Sequence, residues 1–176
     1  MNGLKTAIQA VVFWVVFLGA VPLGIRAVEV GAGFGSWTPP SPLAAIAGIL
    51  LFAAASTLSI ASARVMAVHG EGTPLPLDPT RRLVVRGPYR HVRNPMAIAG
   101  ITQGVAVGIL LGSWAVVAYA LAGAVAWQVL VRPWEEADLR RRFGAAYEHY
   151  AAAVPCWLPG RRYVGPDGLE PPTSSV

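Results

Sequence analysis

The sequence predicts an all-α integral membrane protein. Of the 176 residues, 55% are hydrophobic and only 13% are charged, whereas soluble domains carry about 25% charged residues. The apolar residues are also gathered in runs of the ~20 residues that a helix needs to cross a bilayer. We therefore expect an integral membrane helical bundle with about four transmembrane helices, the last two forming a C-terminal helical hairpin, followed by a cytoplasmic amphipathic helix.

The first two spans correspond to two uncharged apolar runs. Residues 6–25 follow Lys5, and residues 43–63 end at Arg64. A cleaved signal peptide is the alternative for the first run, but the apolar core of a signal peptide is shorter, about 7–15 residues. Between the two runs, residues 31–42 contain glycine, serine and three prolines, and this composition predicts a turn or a short interfacial loop.

Residues 96–131 predict a helical hairpin. This run of 36 residues carries no charge, and as one straight helix it would be ~54 Å long, well beyond a ~30 Å hydrocarbon core. The chain must therefore turn back, and Gly112-Ser113 is the natural break. Small residues allow membrane helices to approach closely, and the hairpin contains four glycines that suit this packing: Gly100, Gly104, Gly108 and Gly123.

The arginines predict the orientation of the bundle. Five lie between residues 69 and 95 and six follow residue 131, whereas the other two connections offer only Arg26, close to Glu29. Arginine-rich connections stay on the cytoplasmic side of a membrane. We therefore expect both termini and the second connection to be cytoplasmic, in an inner (cytoplasmic) membrane. The two ends of the hairpin then emerge on the same side.

We divide the chain into two parts of one membrane domain and a tail. Residues 1–68 hold the N-terminal transmembrane helices, and residues 69–164 hold a loop, the helical hairpin and the amphipathic helix. Residues 165–176 contain three prolines, two glycines and two serines. Such a composition predicts a disordered tail.

A basic segment, residues 87–96, directly precedes the hairpin and reads Gly-Pro-Tyr-Arg-His-Val-Arg-Asn-Pro-Met. Gly87-Pro88 is typical of a turn, and the second proline suits the first turn of a helix. The arginines could serve only as anchors at the membrane surface. However, so many donors beside a tyrosine ring favour a site for a carboxylate or phosphate. His91 and Arg93 are therefore candidate site residues.

An acidic pair, Glu135-Glu136, follows the hairpin. At ~100° per residue from Pro133 onward, both glutamates fall on one arc of about 120° with apolar and aromatic residues. Helix capping is the alternative, since acidic residues in a first turn favour the helix dipole by about 0.3–1 kcal/mol. We expect the glutamates to face the buried side, with Arg132 and Glu136 as further candidate site residues. The other residues on this arc are Leu139, Phe143, Ala146, Tyr147 and Tyr150.

The sequence argues against metal and nucleic-acid sites. The single cysteine, Cys156, has no suitably spaced cysteine or histidine partner, so we expect no metal and a small buried thiol. The net charge is +5, and the basic residues that produce it lie beside apolar spans. They lack the interleaved aromatic residues of a base-stacking surface. The expected partner of these basic residues is the membrane, with its anionic headgroups, and no nucleic acid.

From residue 81 to residue 159 the chain resembles the integral-membrane methyltransferases typified by isoprenylcysteine carboxyl methyltransferase and the phospholipid methyltransferases. The resemblance rests on the Gly87-Pro88-Tyr89 turn, on the Arg-Asn-Pro that opens the hairpin, and on the acidic pair with the aromatic residues and the closing segment 154–159 that follow it. It implies S-adenosylmethionine as cofactor, held between the loop before the hairpin and the glutamate after it. The residues that it assigns to cofactor binding are Arg81, Arg82, Leu83, Val84, Tyr89, Asn94, Pro95, Met96, Ala97 and Glu135.

The chain departs from the family pattern at three positions. Asn94 stands where the family often has histidine, and Ala97 where it often has tyrosine. In the eukaryotic enzymes an arginine four residues before the glutamate is implicated in substrate contact. Here Val131 occupies that position, with Arg132 beside it.

The resemblance implies methyl transfer to a lipophilic acceptor, such as a prenylated molecule or a lipid, at the cytoplasmic membrane interface. The enzyme would be of the carboxyl O- or N-methyltransferase type. No catalytic base is assigned, although Glu136 or His91 is a candidate if the acceptor is an amine that must lose a proton. Two alternatives stay open: a membrane reductase of sterol-reductase-like architecture that uses NADPH, and a non-enzymatic membrane scaffold or lipid-binding protein.

Overall fold

The computed structural model describes residues 8, 11–12, 14–35, 40–70 and 80–159, and the regular structure within these ranges is entirely helical. Part of the first span, the segment 71–79 and the tail 165–176 lie outside the described residues. In chain order the α-helices are α1 (Val21–Gly31), α2 (Pro42–His69), α3 (Pro95–Leu110), α4 (Trp114–Ala126), α5 (Arg132–Phe143) and α6 (Ala145–Ala153). Three shorter elements are the π turns Val16–Ala20 and Trp127–Val131 and the 3-10 turn Gly87–Arg90.

Among the residues that the structure describes, two helical segments are long and apolar enough to cross a membrane. α2 has 28 residues, and α4 continues through the second π turn into α5 as one helix of 30 residues, Trp114–Phe143. α3 is apolar as well but has only 16 residues. The all-helical membrane architecture is thus confirmed, while the total of four spans stays a prediction.

α1 and α2 extend beyond the apolar runs that predicted them. α1 continues to Gly31 and includes Arg26 and Glu29, and α2 continues past Arg64 to His69. A charged residue marks the end of an apolar run, but it has good helix propensity and does not stop a helix. The helices therefore end later than the hydrophobic pattern does.

The hairpin turns at the predicted break. Gly112 has a φ of +58°, a backbone conformation that favours glycine, and the hydroxyl of Ser113 caps α4 by accepting a hydrogen bond from the amide of Val116 at 3.1 Å. The same hydroxyl of Ser113 donates to the carboxylate of Glu29 in α1 at 2.6 Å. Arg26 donates to the same carboxylate at 3.0 Å. This end of the hairpin is therefore attached to α1.

Glycines bring the two arms of the hairpin together. A Cβ atom on Gly104 would lie 2.9 Å from the Cβ of Ala120, and one on Gly108 would lie 2.6 Å from the side chain of Val117. Gly123 is different, because a Cβ there would meet no described residue within 4 Å. The expectation that Gly123 contributes to close packing is therefore wrong, since it faces away from α3.

α2 packs along α3 and carries a polar contact into the apolar bundle. Gln103 is fully buried, and its side-chain amide donates to the hydroxyl of Ser56 at 2.9 Å. Nearby, a Cβ on Gly48 would lie 2.8 Å from Leu110. α2 thereby supports the hairpin arm that begins at the basic segment.

The region after the hairpin forms two helices rather than the single helix that the periodicity assumed. Gly144, between α5 and α6, has φ +51° and ψ −129°, a combination essentially limited to glycine. The break changes the direction of the helix axis, so Ala146 is exposed although the arc placed it inward. Tyr147 and Tyr150 are buried as expected.

Candidate functional site

We call the end of the hairpin where α3 begins and where α4 leads into α5 the polar end. The basic segment and α6 cover this end. The hydroxyl of Tyr150 donates to the backbone carbonyl of Tyr89 at 2.7 Å, and the amide of Arg93 donates to the carbonyl of Pro155 at 3.0 Å. These bonds surround a small hydrophobic core that contains Val85, Tyr147, Tyr150 and Val154. The loop before the hairpin and the segment after it therefore form one unit.

Glu136 lies at the centre of this unit. One carboxylate oxygen accepts from Arg93 at 2.9 Å and from Arg132 at 2.8 Å, and the other accepts from Arg140 at 3.2 Å. Arg93 also lies 3.4 Å from the hydroxyl of Tyr147. We call these five residues the Glu136 cluster. Glu136 is only 8% exposed, and a carboxylate so far removed from water requires this kind of pairing.

The cluster contains three of the four additional residues that the sequence suggested: Arg93, Arg132 and Glu136. Arg140 was missed, although its position one turn after Glu136 on α5 is a signal for an ion pair. The fourth, His91, is exposed and lines a cavity whose lining contains no residue of the cluster. The structure therefore separates His91 from the cluster.

Glu135 has different surroundings from its neighbour. Its side chain is half-buried, and within the described residues its carboxylate has no hydrogen-bond or ion-pair partner. It acts electrostatically on Tyr89, whose ring is buried. Burial first, and the charge of Glu135 second, raise the pKa of Tyr89, so the phenol stays protonated at neutral pH. A hydrogen-bond acceptor and a protonated phenol are thus available near each other.

Asn94 connects the start of α3 with the closing segment. Its side-chain amide donates to the sulfur of Cys156 at 3.2 Å, and Cys156 is buried as expected. Pro95 is buried in the first turn of α3, where its missing amide hydrogen costs nothing. Met96 and Ala97, the next two residues, are half-buried.

The residues of the leading loop have mainly packing roles. The backbone amides of Arg81 and Arg82 donate to the carbonyl of Gly70 at 2.7 and 3.4 Å. Leu83 packs against the hydrophobic core, and Val84 is buried. The side chain of Arg81 is exposed. No described contact connects Arg81 with the Glu136 cluster.

Comparison with known proteins agrees with this geometry. The family model for phospholipid methyltransferases matches residues 43–146, a range from the start of α2 to the beginning of α6 that contains the whole hairpin, the basic segment and the acidic pair. No curated protein matches the chain. Within the described residues no group of three or more histidine, cysteine or acidic side chains is placed to hold a metal ion. Since the match covers 104 of the 176 residues, the chain belongs to the phospholipid methyltransferase family of membrane methyltransferases.

Proposed function

We propose that this membrane methyltransferase binds S-adenosylmethionine at the polar end of the hairpin and transfers its methyl group to a lipophilic acceptor from the bilayer. The observation that carries the proposal is the convergence of Tyr89, Asn94 and Glu135 from two distant parts of the chain. Members of the family generally use this cofactor.

The donor set fits the cofactor. The carboxylate of Glu135, which has no partner among the described residues, is suited to accept from ribose hydroxyls or from an ammonium group, and the buried, protonated phenol of Tyr89 lies close to it. The side-chain amide of Asn94 donates to Cys156, and no described group donates to its side-chain oxygen, which can therefore accept a hydrogen bond from a ligand. Leu83 and Val84 would contribute through their backbone, since their side chains are engaged in packing.

The chemistry needs little from the protein beyond positioning. Held by Tyr89, Asn94 and Glu135, S-adenosylmethionine would supply a methyl group already activated by its sulfonium, so transfer to an acceptor oxygen or nitrogen would need no further activation by the protein. Holding two reactants in line contributes up to ~7–11 kcal/mol to catalysis. The Glu136 cluster provides rigidity, because it ties the basic segment to α5 at a single buried carboxylate.

A proton acceptor is needed only for an amine acceptor. Glu136 is poorly placed for this task because both oxygens already accept hydrogen bonds from arginines. His91 lines a cavity of about 650 Å³ beside the basic segment and is the candidate base for N-methylation. A carboxylate acceptor would not require it.

We further propose that the polar end faces the cytoplasm, where the cofactor is available. The arginine-rich connections favour this orientation, and it places the reaction at the membrane interface. The described residues show no feature that favours the reductase or the scaffold alternative.

Calorimetry on the detergent-purified protein tests the proposal. We expect saturable binding of S-adenosylmethionine and none of NADPH. A second assay with radiolabelled S-adenosylmethionine should then transfer label to phosphatidylethanolamine or to a prenylated carboxylate. Saturable NADPH binding without S-adenosylmethionine binding would instead support the reductase, and binding of neither would support the scaffold.

A further inference from the structure

Two cavities lie next to each other near the polar end, on the side of the basic segment where His91 is exposed. The first, which we call the membrane groove, has a volume of about 400 Å³ and runs between α3 and α4, lined by Ile101, Val125 and other mainly apolar side chains. The second, the loop cavity, has a volume of about 650 Å³ and is bounded by the basic segment. Both volumes fall in the range of ~300–1,000 Å³ typical of small-molecule sites.

The cavities share two wall residues, Ile98 and Trp157. Trp157 follows α6 in the closing segment, and its indole N–H donates to the side-chain oxygen of Gln128 at 2.7 Å. Its ring also packs edge to face against Trp127, with 5.3 Å between centroids. Two independent contacts therefore hold the indole in place at the junction of the two cavities.

The second π turn contributes to this arrangement. Trp127 and Gln128 are its first two residues, and a π turn inserts an extra residue into the helical repeat. The insertion therefore rotates the side chains of α5 around the helix axis relative to those of α4. The hydrogen-bond partner of Trp157 and its aromatic partner both come from this one irregular turn.

Both cavities are lined mainly by apolar side chains. Among the described residues that line the membrane groove, the polar ones apart from Trp157 are Thr102 and Gln128. The loop cavity is lined by Arg90 and His91 of the basic segment. One elongated molecule with an alkyl chain and a polar head matches both environments at once.

We propose that Trp157 determines acceptor specificity: one alkyl chain of the lipid acceptor occupies the membrane groove, its polar head reaches the loop cavity, and the indole fixes where the chain passes between them. This inference rests on the proposed function, because the lipid in the groove is an acceptor only if the protein transfers a methyl group to it. The chain site itself is independent of methyl transfer and can be tested without it.

The test uses phosphatidylethanolamine with a diazirine in one acyl chain, in phosphatidylcholine nanodiscs, and maps the photolabelled peptides by mass spectrometry. We expect labelling in α3 and α4 around the membrane groove. Lysophosphatidylethanolamines added at equal mole fraction in the nanodisc should compete, and competition should strengthen with chain length until the groove is full. Labelling confined to α1 or to the outer face of α2 would overturn the proposal.

Variants at the junction provide the second arm. In the wild type, competition should stop increasing beyond a certain chain length. This limit should disappear in Trp157→Ala, become less sharp in Gln128→Leu, and persist in Trp157→Phe because an aromatic ring remains. Trp134→Phe is the matched control, since this tryptophan is exposed on α5 and lines neither cavity. An unchanged chain-length limit in Trp157→Ala would overturn the role of the indole.

Calorimetry with S-adenosylmethionine on the same variants separates the two proposals. Retained cofactor binding together with a changed chain-length limit supports the role of Trp157. If the wild type binds no cofactor but still shows the labelled groove, the methyltransferase proposal fails while the chain site stands.

Discussion

At the scale of single residues, Glu135 and Glu136 are neighbours on α5 with different surroundings. Successive side chains on a helix diverge by ~100°, so only one of the two can face Arg93. Glu136 takes that position and accepts from three arginines. Glu135 is left half-buried without a partner among the described residues. We therefore expect mutations of the two glutamates to have different effects.

Glu135→Gln should weaken binding of S-adenosylmethionine and leave the protein folded. A hydrogen bond that involves a charged group contributes about 1.5–3 kcal/mol, which corresponds to roughly 10- to 150-fold in affinity. Titration calorimetry measures the affinity, and thermal melting checks the fold. Glu148→Gln on the exposed face of α6 is the control and should bind normally. Equal affinity of the wild type and Glu135→Gln would remove this residue from the site and favour the helix-capping role.

Glu136→Gln should instead destabilise the protein. Removing one partner of a buried ion pair costs about 3–5 kcal/mol, because the opposite charge stays buried without compensation. Arg93 is the residue left in this state, with only 12% of its side chain exposed. The midpoint of denaturation in mixed micelles measures the loss.

Asp138→Asn is the matched control for that measurement. Asp138 also pairs with two arginines of its own helix, but the side chain of Arg141 is 75% exposed. Surface pairs contribute only about 0–1 kcal/mol, so the control should denature close to the wild type. If both variants lose the same stability, Glu136 has no special role in joining the basic segment to α5.

At the scale of elements, Gly144 determines how α6 returns over the basic segment. Its backbone conformation, φ +51° and ψ −129°, is unfavourable for residues with a Cβ. Within the described part of the chain, a Cβ at this position would nevertheless meet nothing within 4 Å. Any effect of a substitution therefore reports backbone strain and not a steric clash.

Gly144→Ala should destabilise the protein by about 1–3 kcal/mol through this strain. It should also loosen the contact between Tyr150 and Tyr89, which depends on the position of α6. Gly123→Ala is the control, since Gly123 is helical and equally free of neighbours within 4 Å. Denaturation curves of the two variants give the comparison, and a control as unstable as Gly144→Ala would argue against strain as the cause.

At the scale of the whole molecule, charge is distributed unevenly between the two ends of the bundle. Residues 80–159 contain nine arginines and four acidic residues, and in the structure these arginines lie in the loop before α3 and in α5. At the other end, Arg26 and Glu29 pair with each other. This asymmetry is the physical reason for the proposed orientation, because positively charged segments are retained in the cytoplasm.

Cysteine labelling tests that orientation. Phe34→Cys, at a residue that is 85% exposed beyond α1, should react with a membrane-impermeant maleimide in intact cells. Arg141→Cys on α5 should react only after the membrane has been opened. The native Cys156 is buried, so the parent protein should give little background. The reverse pattern of labelling would invert the bundle and place the candidate site on the outer side.

Much of the fold could be read from the sequence because it depends on local properties. Uncharged runs predict helices, and the length of residues 96–131 requires a turn that Gly112 permits. The even number of passes through the hairpin then brings Arg93 and the acidic pair to the same end. The structure confirms this meeting with a distance of 2.9 Å between Arg93 and Glu136.

By itself, the sequence determined the helical membrane class, the hairpin and the two segments that meet at its polar end, since composition and length constrain these directly. Only the tertiary structure decided which glutamate is paired and that Trp157 contacts Gln128. Both features depend on helix phase, which the π turn before α5 and the break at Gly144 change. A periodicity calculated for one regular helix cannot follow such changes, because each irregular residue rotates every side chain that comes after it.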